Sequence, residues 1–244
     1  MPVMTVGTGR ALIPTGIKYN DKVLATGPIA YWPLWETAGA VAECLVNPAQ
    51  NGTYSSDVST WLPGPGIGDG NTAPYFSGND VVNIYSAAFN AVFNGQLGSV
   101  MIWCKVSAPG VWVDGLTRTT MILLADATNY VKLAKDAAAN SFGFIYDAAG
   151  TLDYTNNAMS PADWFLLGMT WSKAADSVVY YVDGAPVDTD IGLGLWAGGA
   201  LSNIQTCIGA SNTAPGQPWI GWLARAAAWS RVVQPAEWTV LATV

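Results

Sequence analysis

Tight-turn signals recur at short intervals along the chain, and this spacing most constrains its fold. In YYVDGAPV (residues 180–187), Asp183-Gly184 separates two apolar runs, as in a β-hairpin whose two turn residues both adopt positive φ. Other strand-sized apolar segments, bounded by Gly, Pro and Asn, lie at 81–85, 99–106, 120–125, 129–134, 141–146, 164–171, 177–182, 204–209 and 219–229. This pattern predicts an all-β protein in which antiparallel strands form a sandwich or a barrel.

The strand that precedes Asp183 has no polar face, because every residue from Val178 to Val182 is apolar or aromatic. Such a strand is buried on both sides of its sheet. A second layer must therefore cover its outer face, and a ligand, a partner or the protein itself could supply it. Helix is scarce: one or two turns are predicted at 87–93 and again at 234–242.

The composition excludes several functional classes. Apolar residues make up 51% of the 244 residues and charged residues 11%, against about a quarter in an average protein, so we expect a folded chain with part of its surface covered by a partner. A net charge of −7 with ten scattered Lys and Arg argues against nucleic acid and anionic membranes. No segment approaches the run of about 20 apolar residues that a membrane helix needs.

Histidine is absent from the sequence, which removes the commonest general base, the Ser-His and Cys-His pairs and most zinc sites. Cys44, Cys104 and Cys207 are far apart and are expected to be buried thiols. The N-terminus has no signal-peptide pattern, which predicts synthesis in a cytoplasm without Sec export and, if the protein leaves the cell, release by lysis.

Residues 1–28 are predicted to form an extended N-terminal arm. They hold seven Gly and Pro residues without sustained periodicity, and we expect the arm to serve assembly rather than the core of its own domain. The apolar anchors of this assembly arm would be Val3, Val6, Leu12 and Ile13.

Five segments resemble, in order, the laminin-G-like or concanavalin A-like jelly roll of bacterial extracellular and phage structural proteins. They are IAYWPLWETAGAVAECLVNPAQNGTY (29–54), PYFSGNDVVNI (74–84), GSVMIWCKV (98–106), WFLLGMTWSKAADSVVYYVDGAPV (164–187) and WIGWLARAAAWSRVVQPAEWTVL (219–241). The resemblance spans residues 29–244 and implies one two-sheet antiparallel jelly-roll sandwich. It departs from the family pattern at Ala224-Arg225, where an Asp-Glu pair is usual, at Leu166, where a His is common, and at Trp35, where an acidic residue is usual.

The resemblance also implies which side chains face outward. Val178, Tyr180 and Val182 would point into the core, and the concave outer face of the same sheet would present Met101, Trp103 and Tyr181. Trp103 and Tyr181 are expected on neighbouring strands of this sheet. These three residues are candidate ligand contacts.

No catalytic residues are expected. Glycoside hydrolysis needs two carboxylates about 5–9.5 Å apart, and none of Glu36, Glu43 and Glu237 has an acidic residue two positions away. The one such pair, Asp188 and Asp190, is interpreted as a solvated loop after a hairpin. No cofactor and no metal site is predicted, although oxygen ligands on Asp69, Asn71, Asn79 and Asp80 leave a structural calcium ion open.

The twelve tryptophans leave two further alternatives. Most are expected to pack in the core, but four lie beside Gly or Pro: Trp61, Trp112, Trp196 and Trp219. An exposed loop Trp can stack on a sugar or fill a partner's pocket, whereas a buried one is a lid on its own sandwich.

Two functions follow as hypotheses. The first is a non-catalytic structural protein of the phage virion surface, such as a capsid decoration, head-fibre or tail-associated subunit. It would bind sister subunits or capsid and tail proteins through the arm, as a homo-oligomer. The alternative is a carbohydrate-binding module for host or cell-surface glycans, acting extracellularly.

Overall fold

The computed structural model describes residues 18–55 and 66–244, together with the backbone of residues 63–64. The α-helices in this part are α1 (Tyr19–Ala25), α2 (Ala87–Val92) and α3 (Pro235–Leu241), and short 3-10 helices lie at Pro48–Gln50 and Pro109–Val113. The strands are β1 (Ala30–Trp32), β2 (Val41–Ala42), β3 (Gly52–Tyr54), β4 (Pro63–Gly64), β5 (Ala73–Ser77), β6 (Val82–Asn83), β7 (Leu97–Val106), β8 (Arg118–Asp126), β9 (Asn129–Lys135), β10 (Ser141–Ala148), β11 (Thr151–Ala158), β12 (Phe165–Ser172), β13 (Ser177–Val182), β14 (Ala185–Ile191), β15 (Thr206–Ile208) and β16 (Ile220–Trp229).

The strands form two antiparallel sheets of eight, which confirms the predicted all-β sandwich. Sheet A has the order β14-β13-β12-β7-β16-β5-β4, and sheet B has the order β11-β10-β9-β8-β15-β6-β3-β2. In sheet A, strand β16 also pairs with β1. Strand β5 pairs with Ile220–Trp222 and β1 pairs with Ala226–Ala228, so the two share one long strand.

The main core fills the space between the sheets. The predicted inward residues of β12 and β13 belong to it, since Leu167, Met169, Trp171, Val178 and Tyr180 are at most 1% exposed. Side chains alternate between the two faces of a strand, so every second residue of β12 and β13 points into this core. The predicted hairpin is also confirmed, because Asp183 and Gly184 both have positive φ, at 49° and 77°.

The outer face of sheet A is covered by the protein itself. A second apolar cluster includes Met101, Trp103, Leu166 and Tyr181 from the sheet, Tyr19 and Val23 from α1, and Trp238 and Leu241 from α3. The indole of Trp238 lies so close to Gly168 that a Cβ on that residue would approach its ring to 2.5 Å. The apolar second face of β13 is therefore closed by two helices.

Trp103 and Tyr181 lie in the same sheet and on the same face, as expected, but not on neighbouring strands. Trp103 is on β7, Tyr181 is on β13, and β12 runs between them. The sequence resemblance gave the correct orientation of each side chain, but it contained no information on which strands pair.

Both short helices predicted from the sequence are present, as α2 and α3. Seven strands lie outside the segments predicted from the turn spacing, namely β1, β2, β3, β4, β5, β11 and β14. The first five are only two to five residues long. Strand β11 is rich in Asn and Thr and so lacks an apolar signature, and β14 contains the segment that was interpreted as a loop. No helix of the described residues is long and apolar enough to span a membrane. The three cysteines are buried and free, as expected, and burial raises the pKa of Cys207 to about 12.

Candidate functional site

The predicted concave face is not accessible to a ligand. Met101, Trp103 and Tyr181 are at most 5% exposed. The Trp103 indole donates to the Tyr19 hydroxyl at 2.6 Å, and that hydroxyl donates to the Leu241 carbonyl at 2.7 Å. Tyr181 stacks on Trp238 with 4.9 Å between ring centroids. The expectation of an open aromatic face is thus corrected, because helices from both ends of the chain occupy it.

The loop tryptophans in the described residues are lids on their own sandwich. Trp112, Trp196 and Trp219 are 1%, 8% and 0% exposed. The Trp112 indole donates to the Pro161 carbonyl at 3.0 Å, and Trp196 packs against Phe93. These residues therefore offer no free ring for a ligand, and Trp61 lies outside the described residues.

The predicted arm is corrected over part of its length. Residues 19–25 form α1, and Tyr19 and Val23 are 2% and 0% exposed against the sheet of their own domain. This stretch is thus part of the core of its own sandwich. The proposed anchors Val3, Val6, Leu12 and Ile13 lie outside the described residues.

The Asp188/Asp190 pair lies on β14 rather than in a loop. Asp188 accepts a hydrogen bond from the Thr155 hydroxyl on β11, and Asp190 accepts one from the Tyr180 hydroxyl at 3.0 Å. Asp188 therefore links the edge strands of the two sheets, whereas Asp190 links β14 to β13 within sheet A.

The possible calcium ligands fall into two separate turns. Asp69 accepts from the amide of Asn71 and from Arg225, whereas Asp80 accepts from the Ser77 backbone within the turn after β5. In residues 18–55 and 66–244, no three Asp, Glu, Cys or His side chains come together as a metal site.

The structure instead forms a polar pocket between the segment after β1 and the loop before β5. The pocket has a volume of about 570 Å³ and is lined by Trp35, Glu36, Thr37, Ala38, Glu43, Gly70, Asn71 and Thr72. We call it the Trp35 pocket, after its half-buried indole.

A buried arginine holds the two walls of this pocket together. Arg225 is 0% exposed and lies on β16 at a bulge between the residues that pair with β5 and those that pair with β1. Its guanidinium donates to both carboxylate oxygens of Asp69 at 2.7 Å and to the Pro33 carbonyl at 2.8 Å. Such a two-pronged ion pair fixes geometry as well as charge, so Arg225 sets the distance between the pocket walls.

The backbone has an unusual conformation at Arg225 and at Leu34. Arg225 and Leu34 have positive φ of 54° and 55°, a region that costs a non-glycine residue about 1–2 kcal/mol. The Arg225 amide donates to the Pro33 carbonyl at 3.0 Å. Leu34, fully buried, turns the chain immediately before Trp35, so this conformation directs Trp35 toward the pocket.

Two carboxylates lie in the pocket beside the indole. One oxygen of Glu36 accepts the Glu43 backbone N–H at 2.7 Å, and the other accepts the Tyr54 hydroxyl at 2.8 Å. Burial, reinforced by the Glu36 charge, raises the pKa of Tyr54 well above its usual value, so Tyr54 remains a donor. Glu36 is thereby held in place, and the exposed side chain of Glu43 is left to accept hydrogen bonds.

Sequence reasoning did not select this site. Glu36 and Glu43 are seven residues apart and meet only because the chain reverses between them, so a search for acidic residues two positions apart misses them. The available signal was two of the three departures from the family pattern, Trp35 and Ala224-Arg225. These two belong to the pocket or its support, whereas the third, Leu166, lies in the apolar cluster on the outer face of sheet A.

Two other depressions lack this combination of groups. A groove of about 640 Å³ between α1 and α3 includes Ala25, Ala236 and Val240 in its wall, with no aromatic ring among its described lining residues. A cleft of about 380 Å³ next to α2 has Trp196 as its tryptophan, and that ring is 92% covered. Only the Trp35 pocket, among these three in the described residues, pairs an accessible indole with carboxylates.

No protein-family model matches the chain, and no curated protein does. Solved structures do share its fold. Domain 4 of AbnA, a GH43 extracellular arabinanase from Geobacillus stearothermophilus, in complex with arabinotriose, superimposes with a TM-score of 0.65 at 14% identity, over 88% of this chain and 98% of that one.

Two further binding domains match similarly. The ligand-binding domain of botulinum neurotoxin serotype D, in complex with N-acetylneuraminic acid, gives a TM-score of 0.64 at 12% identity over 89% of this chain. The binding domain of Paraclostridial Mosquitocidal Protein 1 gives 0.64 at 12% over 88%. This chain spans about half the length of these domains, 50% and 51%. At such identities the likeness establishes the fold, a β-sandwich of the kind found in carbohydrate-binding and receptor-binding domains.

Proposed function

We propose that this protein is a non-catalytic carbohydrate-binding module and that the Trp35 pocket is its glycan site. The observation that carries the proposal is the combination of a half-buried indole with the carboxylate of Glu43 and the amide of Asn71 in one pocket. An indole stacks on the apolar face of a sugar ring, while carboxylate and amide groups bond its hydroxyls.

The preorganisation of the pocket supports the same function. Asp69 holds Asn71 through its backbone N–H at 3.1 Å, and Arg225 holds Asp69. Rigid walls reduce the entropy lost when a flexible, hydrophilic ligand binds. The solved complexes with arabinotriose and with N-acetylneuraminic acid are those of proteins with this fold, and they add support at the level of ligand class.

A binding role suits the two pocket carboxylates better than a hydrolytic one. Hydrolysis requires one carboxyl group to present a proton to the glycosidic oxygen and the other to act as base or nucleophile. Glu36 uses both of its oxygens as acceptors within the protein. It is thereby arranged to brace the pocket rather than to deliver a proton.

Substitution of the indole tests the proposal. Trp35→Ala should abolish binding to the glycans that the natural protein retains on an oligosaccharide array and in calorimetric titration. Since Trp35 is half-buried, the far-UV spectrum and the cooperativity of unfolding should be preserved.

The matched control is Tyr154→Ala. Tyr154 is 41% exposed and lies on the outer face of sheet B, on β11. This variant should bind as the natural protein does. If Tyr154→Ala loses binding while Trp35→Ala retains it, the site lies on sheet B and the pocket assignment is wrong.

The virion-surface role and location remain proposals from the sequence, as do the protein partners and the homo-oligomer. The packing of α1 on its own sheet removes residues 19–25 from the arm that supported this role. A glycan-binding module on a virion surface would unite both hypotheses.

A further inference from the structure

We infer that the Trp35 pocket is selective by charge: it accepts neutral glycans and rejects glycans that carry a carboxylate, such as sialic acids and uronic acids. The inference rests on the proposed function and names the ligand class of the same site. The two solved complexes with this fold contain a neutral and an acidic sugar, arabinotriose and N-acetylneuraminic acid. Fold alone therefore does not distinguish the two classes.

The pocket contains two carboxyl groups, one held by hydrogen bonds and one exposed. Glu36 accepts from the Glu43 backbone and from the Tyr54 hydroxyl, so its carboxylate points to the wall that it braces. Glu43 is exposed at the rim. The exposed carboxylate of Glu43 is a good acceptor for sugar hydroxyls, which are neutral donors. The two pocket carboxylates repel a ligand carboxylate.

Within the part of the chain that the structure describes, no cation is placed to compensate for them. Nine Lys and Arg fall within residues 18–55 and 66–244, and none is among the described lining residues of the pocket. Six of the nine form ion pairs elsewhere, namely Lys105, Arg118, Lys135, Lys173, Arg225 and Arg231. The positive charge that supports the pocket walls, Arg225, is fully buried and paired with Asp69.

The size of the effect follows from the distance and the solvent. A ligand carboxylate about 4 Å from one pocket carboxylate would bind about fivefold more weakly even at the dielectric constant of water, and more weakly still near the protein surface. The net charge of −7 adds repulsion at longer range, which salt screens over about 8 Å at physiological ionic strength. Selectivity should therefore decrease as salt is added.

The experiment uses the full chain and an array of matched oligosaccharides, each printed with and without a terminal sialic acid or with a uronic acid in place of the neutral sugar. Arabino-oligosaccharides extend the neutral set. For every pair that is bound, the neutral member should bind at least about fivefold more tightly at low salt, the factor expected for one unscreened carboxylate.

Two substitutions locate the source of the selectivity. Glu43→Gln removes one pocket charge and keeps an acceptor oxygen, so the ratio of neutral to acidic binding should fall toward one. Asp21→Asn is the charge-matched control, because Asp21 is exposed on α1 and borders the groove between α1 and α3 instead. This variant should leave the ratio unchanged.

The remaining outcomes contradict either the charge selectivity or the glycan-binding function. Equal or tighter binding of the acidic members overturns the charge inference and leaves the glycan-binding proposal intact. A ratio that responds identically to Glu43→Gln and Asp21→Asn also overturns it, since the pocket charge would then have no special effect. Failure of the natural protein to bind any member of the array contradicts the proposed function itself.

Discussion

Arg225 shows how one residue can determine the geometry of a site that it does not line. Its side chain is inaccessible to solvent, and so is nearly all of the side chain of its partner Asp69, which is 1% exposed. A pair of this kind adds little net stability compared with apolar residues, but removing one partner leaves a buried charge without compensation. Its main contribution is therefore specificity of loop conformation.

This asymmetry gives a measurable prediction. Arg225→Met should lower the free energy of unfolding by about 3–5 kcal/mol, the usual cost of an unpaired buried charge. The double variant Arg225→Met/Asp69→Leu should recover part of that loss, because both charges are removed together. Urea denaturation measures both, and a double variant that is less stable than the single one would contradict this account of the pair.

Asp153, on the edge strand β11 of sheet B, should affect the stability of the folded protein in a pH-dependent way. Burial, and then the negative charge of Asp190, raise the pKa of this carboxyl group above its usual value. One of its oxygens is buried without a hydrogen-bond partner in the described residues. The charged form of Asp153 therefore destabilises the folded protein at neutral pH.

Substitution of Asp153 tests whether its charge destabilises the folded protein. Because the folded-state pKa of Asp153 lies above the unfolded one, its cost is present at neutral pH and disappears as the pH falls through the folded-state value. Asp153→Asn should raise Tm at pH 7 by about 2–4 °C, the shift that about 1 kcal/mol produces at this size. The difference from the natural protein should shrink at pH 4.

Asp126→Asn is the control in which the change in stability should have the opposite sign. Hydrogen bonds from Asn129 and from Thr128 lower the pKa of Asp126, so this carboxylate contributes stability that is lost as the pH falls through its folded-state pKa. The variant should be less stable than the natural protein at pH 7. Equal shifts in the two variants would mean that these local environments do not govern stability.

At the scale of elements, α1 and α3 cover an apolar sheet face that water would otherwise contact. The outer face of sheet A buries Met101, Trp103 and Tyr181 beneath them. Each fully buried apolar side chain contributes about 1.5–3 kcal/mol. The two helices are thus structural parts of the domain.

Deletions near the N-terminus test this role. Removal of residues 2–25 should destabilise the protein by at least 3 kcal/mol, about the burial contribution of one or two apolar side chains, because Tyr19 and Val23 would no longer cover the sheet. Removal of residues 2–17 leaves every contact described here intact and should preserve Tm. Equal thermal stability of the two truncated proteins would contradict the covering role of α1.

The sequence predicted elements well where local chemistry decides them. Asp183-Gly184 specifies its turn because both residues tolerate positive φ, and the alternation along β12 and β13 specifies which side chains face the core. It failed where structure depends on distant segments. β14 is a strand because β13 pairs with it. α1 is buried because it packs on sheet A, where Tyr19 accepts a hydrogen bond from Trp103, 84 residues away in the sequence.

The same distinction holds for the site. The resemblance located the sheets but directed attention to an outer face that this chain closes with its own helices. Trp35 and Arg225 were recognisable in the sequence only as departures from a pattern. Their joint effect on one pocket depends on the way in which β1 and β5 share strand β16, a long-range arrangement that no local motif encodes.

For the whole molecule, the combination of fold and pocket predicts binding without turnover. Incubation with arabinan, β-glucans or the oligosaccharides that bind should release no reducing ends, because the chain lacks His and Glu36 is committed to the wall of the pocket. Turnover that disappears in Glu43→Gln or in Asp188→Ala would identify a catalytic carboxylate and contradict this prediction. Loss in neither variant would indicate a contaminating enzyme.

The pairing of α1 with α3 has a mechanical consequence. Tyr19 bonds to the Leu241 carbonyl, and Lys22 donates to the Thr243 carbonyl at 3.0 Å, so the two ends of the described chain are fastened to each other. A force that pulls residues 18 and 244 apart loads these few contacts one after another, before any strand of the sandwich is stretched. The helices would peel away first and uncover the aromatic face of sheet A, while the two sheets remained assembled.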